Sequence, residues 1–246
     1  MNRAPETSSQ TSRREFLALA WFPFFRPRHI SLAGAHFRIF RKGRSRRRYL
    51  VIHGNEQTAR EVLIRHIRQH DGIAYVVEGK TRNVEVEGLQ LDPNRMFSRA
   101  GAEASLKRLN SNAEAHRVAL ALNSLDRHRD RLVHALTPPG GGLTFALHNN
   151  SSSYSVADEV PISDQTSLRE PDNPHAFFLC TDPRDFAVLK TSPYNVVLQQ
   201  RPSTSDDGSL SRLAAARGFR YVNLEVAHGQ ADRQQEMVMW LERNLP

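Results

Sequence analysis

His53, Glu56, His148 and Glu225 stand at the ends of three short apolar runs. Tyr49-Leu50-Val51-Ile52 leads into His53-Gly54-Asn55-Glu56, Leu143-Thr144-Phe145-Ala146-Leu147 into His148, and Tyr221-Val222-Asn223-Leu224 into Glu225. Two imidazoles and a carboxylate form the donor set of a catalytic zinc site, which takes three protein ligands and keeps one position open for water. His53 and Glu56, three apart across a turn containing Gly54, can close on one ion from a strand end and a helix start, and His148 adds the third ligand. Glu225 is then left as the carboxylate that takes a proton from the attacking water. A His-x-x-Glu spacing, or a lone histidine at a strand end, also fits a hydrogen-bonded structural role. Three apolar strands ending this way, where open α/β sheets bind ligands, point to a site.

The elements that must position these residues are legible as alternating periodicities. Short apolar runs at 49–52, 73–77, 143–147, 177–180, 194–198 and 221–224 read as strands, and residues 36–40 alternate in the manner of a half-buried one. Stripes of 3.6-residue period cover 58–69, 112–136, 209–217 and 231–245, and Asp182-Pro183 opens a short helix. Residues 149–173 form a polar segment with no regular pattern. Strands that are apolar throughout and separated by helices predict a single α/β domain over 36–246. Its sheet is expected to be mixed and mostly parallel, with helices on both faces.

Composition narrows the function classes. The chain has 246 residues, 39% of them hydrophobic, a formal charge of +8 and one cysteine, Cys180. A single cysteine excludes an internal disulfide framework and cysteine-based metal knuckles. Mean hydropathy is −0.54, and no apolar run reaches the ~18 residues of a membrane span. Twelve of the 34 basic residues fall in the first 50 positions against Glu6 and Glu15, so the rest of the chain is slightly acidic. That distribution argues against an extended phosphate-tracking surface, and nucleic acid is not expected as a partner. Residues 1–35 read as a disordered leader. Ser12-Arg13-Arg14-Glu15-Phe16-Leu17 before an apolar stretch resembles a twin-arginine export signal, which implies a periplasmic protein; without export the protein is cytoplasmic. His66, His70, His116, His128 and His134 lie on helices among charged neighbours, the pattern of solvated faces, and His228 follows Glu225 closely enough to orient it.

Four stretches, Val51-Ile52-His53-Gly54-Asn55-Glu56, Asp92-Pro93-Asn94-Arg95, Leu147-His148-Asn149 and Asn223-Leu224-Glu225, carry a resemblance to a known family. In this order they resemble the zinc carboxypeptidases and their relatives, the succinylglutamate desuccinylase and aspartoacylase-like deacylases, over roughly Phe37 to Leu245. The resemblance implies a zinc-carboxypeptidase-like fold and one Zn2+ per chain on His53, Glu56 and His148. It further implies a carboxylate clamp of Asn94 and Arg95, Glu225 as general base, and an arginine that polarises the scissile carbonyl. Arg82 is the candidate for that arginine, with Arg99 and Lys80 as competitors. No tyrosine stands convincingly where the digestive carboxypeptidases carry their mobile cap; Tyr154 and Tyr194 are the nearest.

The expected activity is zinc-dependent amide hydrolysis of the metallocarboxypeptidase or N-acyl amino acid deacylase type. Its substrate is a peptide or acyl-amino acid bearing a free carboxylate, with peptidoglycan peptides included if the chain is exported. The rival reading is a non-enzymatic module on the same fold that binds carboxylates or anionic polymers. Intact His53, Glu56, His148 and Glu225 favour the enzyme.

Overall fold

The computed structural model describes residues 28–32, 35–201 and 205–245. In chain order these form β1 (Arg28–Leu32), β2 (Ala35–Lys42), β3 (Arg48–Val51), α1 (Gln57–Ile67), β4 (Gly72–Val77), β5 (Val84–Val86), β6 (Leu89–Leu91), α2 (Arg99–Leu109) and α3 (Ala115–Leu136). They continue with β7 (Thr144–Asn150), α4 (Val156–Glu159), β8 (Gln165–Ser167), β9 (Phe177–Cys180), α5 (Pro183–Leu189), β10 (Asn195–Leu198), α6 (Leu210–Arg217), β11 (Tyr221–Ala227) and α7 (Ala231–Asn244). Nine strands make one sheet in the order β1-β2-β4-β3-β7-β11-β9-β10-β8, and β5 and β6 pair as a separate ribbon. None of the described helices is long and apolar enough to cross a membrane.

Both faces of the sheet are covered, which is why its central strands carry no polar alternation. Tyr49, Val51, Phe145, Leu147, Val222, Leu224 and Val226 point to one face and pack with the buried stripes of α1 and α7. Leu50, Ile52, Ala146 and Tyr221 point to the other face, against α2, α3 and α6. A smaller cluster of Phe177, Leu179, Val197 and Val156 lies under α4. The candidate site residues belong to the second face, because His148 lies two residues beyond Ala146, and Glu225 four beyond Tyr221.

Strands β4, β3, β7 and β11 run parallel, and β7 and β11 are paired so that Glu225 lies opposite His148. Three carboxyl ends therefore come together at one edge. Outside this block the sheet departs from expectation: β1–β2, β2–β4, β11–β9 and β10–β8 are antiparallel. Parallel and antiparallel pairings are thus equal in number, and the mixed sheet is not mostly parallel. Of these antiparallel pairs only β1–β2 joins consecutive strands; the other three pair strands that have another strand between them in the chain. The expected domain start at 36 falls within a hairpin, since Arg28–Leu32 pairs with Ala35–Ile39. The twin-arginine stretch, the apolar run behind it, and Ala33 and Gly34 lie outside the described residues.

The end of β7 is polar yet wholly buried, so its side chains need internal partners. Asn149 Oδ1 accepts from the Ala59 N–H at 2.8 Å, and Asn149 Nδ2 donates to Gln234 Oε1 at 3.1 Å. Gln234 Nε2 in turn donates to the His148 carbonyl at 2.9 Å. Asn149 thereby satisfies one of the free N–H groups at the start of α1, where Glu56 is the N-cap residue but makes no capping hydrogen bond. One strand-end amide ties β7 to α1 and α7. Asn149→Ala leaves the Ala59 N–H and Gln234 Oε1 without these partners in the interior, and is expected to cost ~1–3 kcal/mol in urea unfolding of the metal-free protein.

Candidate metal centre

The turn after β3 brings His53 and Glu56 together within the chain, and β7 delivers His148 beside them. His53 Nδ1 lies 2.7 Å from Glu56 Oε1, and the rings of His53 and His148 meet edge to face at 5.3 Å. His148 Nδ1 lies 3.3 Å from both carboxylate oxygens, and its hydrogen bond runs to Oε1. Glu56 Oε2 is consequently buried without a hydrogen bond among the described residues. One donor atom from each of the three side chains lies within 4.8 Å of the others, and all three residues are buried. A buried carboxylate oxygen without a donor, facing two imidazoles, fits a divalent cation better than it fits a closed hydrogen-bond network.

Asp92 holds the outer side of His53. Its Oδ1 lies 2.9 Å from His53 Nε2, which turns Nδ1 toward Glu56. Its Oδ2 accepts from Arg82 Nε and Nη2 at 3.2 and 3.1 Å. Arg82 also reaches within 3.8 Å of Glu56 Oε1. The loop that carries Arg82 passes this close because residue 54 is glycine: a Cβ there would stand 2.6 Å from the Thr81 carbonyl oxygen. A carboxylate on the far nitrogen of a ligating histidine fixes its orientation and raises its basicity. In the sequence Asp92 stands in the Asp92-Pro93-Asn94-Arg95 stretch, 39 residues from His53, and no local pattern marks their contact.

Charges follow from burial and from these partners. For His53, burial alone would lower the pKa, but Glu56 and the hydrogen bonds to Asp92 and Glu56 outweigh it and push the value up to about 9. For Glu56, burial opposes ionisation, yet His148 and His53 together bring its pKa down to about 2. Glu225 behaves oppositely. It is 6% exposed, and burial, with the Glu56 charge added and His148 opposing, raises its carboxyl to about 7. Among the described residues Asn223 Nδ2 donates to its Oε1 at 3.1 Å.

A cleft of about 550 Å³ opens over these groups and is lined by all seven residues singled out from the sequence: His53, Glu56, Arg82, Asn94, Arg95, His148 and Glu225. Asn94 and Arg95 lie on a 3-10 turn whose Asp92 side chain caps the Asn94 N–H. Asn94 Oδ1 accepts from the Leu210 N–H at 3.2 Å, and Arg95 lies 3.5 Å from Asp207. Gly101 permits this junction, because a Cβ there would stand 2.3 Å from the Gly208 Cα. The competitors of Arg82 are elsewhere: Arg99 pairs with Asp126 on α3, and Lys80 is not among the lining residues. Tyr154 lines the cleft, whereas Tyr194 packs between Phe178 and Trp240 beneath the Arg233 guanidinium. His228 is exposed at the rim, with no side-chain hydrogen bond to Glu225 among the described residues.

One histidine contradicts its expected solvated position. His66 is 1% exposed and lies 3.2 Å from Glu242 of α7. It shares a helix face with Val62 and Leu63, which a reading by adjacent charged residues overlooks.

No family model matches the chain, and no curated protein does. Two solved structures are distantly similar to it. A protein from Shewanella amazonensis SB2B, provisionally named a metallopeptidase, is 13% identical with a TM-score of 0.42, over 89% of this chain and 86% of that one. A second, from Shewanella denitrificans OS217 and provisionally named likewise, is 12% identical with a TM-score of 0.41, over 89% and 85%. At these values the likeness carries no assignment of activity.

The cluster has a signed dependence on pH. Raising the His53 pKa stabilises the metal-free fold fully below its ordinary value of 6.5, and this contribution fades as pH rises toward about 9. Cation binding must displace the same proton. Between pH 6.5 and 9, thermal unfolding of the metal-free protein should therefore move to lower temperature while affinity for added Zn2+ rises, with His53→Ala flattening both trends.

Proposed function

We propose that the chain is a zinc-dependent amide hydrolase that acts on a peptide or acyl-amino acid with a free carboxylate, in the manner of a metallocarboxypeptidase or N-acyl amino acid deacylase. The observation that carries this reading is the register of β7 and β11, which sets Glu225, with its raised pKa, opposite the His53–Glu56–His148 cluster at one cleft. A zinc ion held by those three residues would supply Lewis acidity, polarising the scissile carbonyl and bringing the pKa of water toward ~7.

The protein groups have separable parts in the reaction. Glu225, tuned to about 7, accepts a proton from the attacking water near neutral pH and returns it to the amine nitrogen as the C–N bond breaks. The products are a carboxylate and a free amine. Arg82 is held by Asp92 at the cluster's edge, where its remaining donors can meet negative charge developing on the carbonyl oxygen. Arg95 and Asn94, which line the same cleft, hold the substrate carboxylate and so position the neighbouring amide.

The test pairs acyl-amino acids bearing free or amidated carboxyl groups with the zinc-loaded chain. Hydrolysis of the free acids and not the amides is expected, and Glu225→Gln should keep its zinc while kcat falls ~100-fold or more. Near-normal turnover in a zinc-loaded Glu225→Gln protein would show that another group takes the proton.

A further inference from the structure

Arg95, one of the two groups assigned to the substrate carboxylate, already has an anion beside it. Asp207 Oδ2 lies 3.5 Å from Arg95 Nη1, and both residues line the cleft. The same Nη1 donates to the Asn94 carbonyl at 2.9 Å. The two side chains are 32% and 44% exposed, so a dissolved ligand can reach both.

The loop that carries Asp207 is fastened by contacts other than this ion pair. The Phe97 N–H donates to the Gly208 carbonyl at 3.1 Å, and the Leu210 N–H donates to Asn94 Oδ1 at 3.2 Å. Gly208 packs so closely that a Cβ on it would stand 2.3 Å from the Arg95 carbonyl oxygen, and its φ of 76° suits glycine. The other oxygen of Asp207, Oδ1, accepts at 2.9 Å from the N–H of Ser209, the N-cap residue of α6. One carboxylate oxygen thus serves the loop, and the other faces the guanidinium. Neutral contacts set the distance between the two charges, and a partly exposed ion pair adds little to the stability of the fold.

We propose that Asp207 is a built-in competitor for the substrate carboxylate, which pairs with Arg95 in the free protein and so sets how strongly the clamp prefers a free acid. The proposal rests on the reading above, in which Arg95 and Asn94 hold that carboxylate. An incoming carboxylate must displace Asp207 Oδ2 or share one guanidinium with it, and like charges brought together cost affinity. A neutral end group meets neither cost. Asp207 therefore narrows the margin between acid and amide, and removing its charge should widen that margin. Asparagine at this position keeps an oxygen for the Ser209 N–H and removes only the charge.

N-acetyl-L-alanine and N-acetyl-L-alaninamide differ only at the carboxyl end, so titrating each into the zinc-loaded full chain isolates the clamp. Ligand NMR reads the binding, and in the same samples it reads any release of acetate. Asp207→Asn is expected to bind the acid ~3-fold or more tightly than the unaltered chain does, with amide binding unchanged. The gain should vanish when Arg95→Ala is added. A tighter complex cannot come from a damaged fold. Unchanged or weaker acid binding in Asp207→Asn overturns the proposal, and so does an equal gain for acid and amide, or a gain that survives Arg95→Ala. If Arg95→Ala alone weakens acid binding while Asp207→Asn has no effect, the clamp stands without its competitor. If Arg95→Ala alone leaves acid binding unchanged, the clamp fails and the competitor with it. The expected gain in a chain that releases no acetate from this or any other acyl-amino acid would support the competitor and remove the hydrolase reading.

Discussion

A carboxylate buried beside two imidazoles is the constraint on which the surrounding structure turns. Glu56 is 1% exposed, and a charge so placed costs several kcal/mol unless it is closely paired. Its partners come from two different strands, so β3 and β7 must be neighbours and parallel for the charge to be tolerated at all. At the N-cap of α1 its side chain makes no capping hydrogen bond. Asn149 serves α1 instead, from the next strand, and the carboxylate is free to face His53 and His148. Asp92 fixes the outer nitrogen of His53, and Arg82 balances Asp92. Each group holds the next one, and the chain of contacts ends with one oxygen of Glu56 lacking a hydrogen-bond donor.

The same arrangement sets two carboxylates of opposite character a short distance apart. Glu56 is kept ionised by the histidines, whereas Glu225, at the same level on β11, has no comparable partner and is raised toward neutrality by burial. Divergent environments for nearby acids separate a group that holds charge from one that exchanges a proton.

The residues of the cluster are legible in the sequence because each ends an apolar run, and apolar runs buried on both faces are the strongest signal that a parallel strand leaves. The central strands and the helices at 57–67, 115–136, 210–217 and 231–244 are legible for the same reason. What is missed lacks that signal. Helix α2 buries only Gly101, Ala102, Ser105 and Leu106, small residues that make a faint stripe. The edge strands β1 and β8 are polar or short, as edges commonly are. The antiparallel pairings depend on which way the chain returns, and hydropathy does not record this. Tyr154 and Glu159 lie in the polar stretch after β7, where nothing in the pattern separates a cleft wall from a solvated loop. The part played by Asn149 is equally hidden, because an amide that caps a helix from another strand is defined only by the tertiary contact.

Whether His53, Glu56 and His148 together bind zinc decides the rest. X-ray absorption at the zinc edge of the protein loaded with one equivalent of Zn2+ reads the ligand set directly. Four nitrogen or oxygen neighbours at ~2.0–2.2 Å, with outer-shell scattering from two imidazole rings that disappears for one ring in His148→Ala, is the expected result. A six-coordinate oxygen shell without imidazole scattering would contradict the assignment of the cluster as a metal centre.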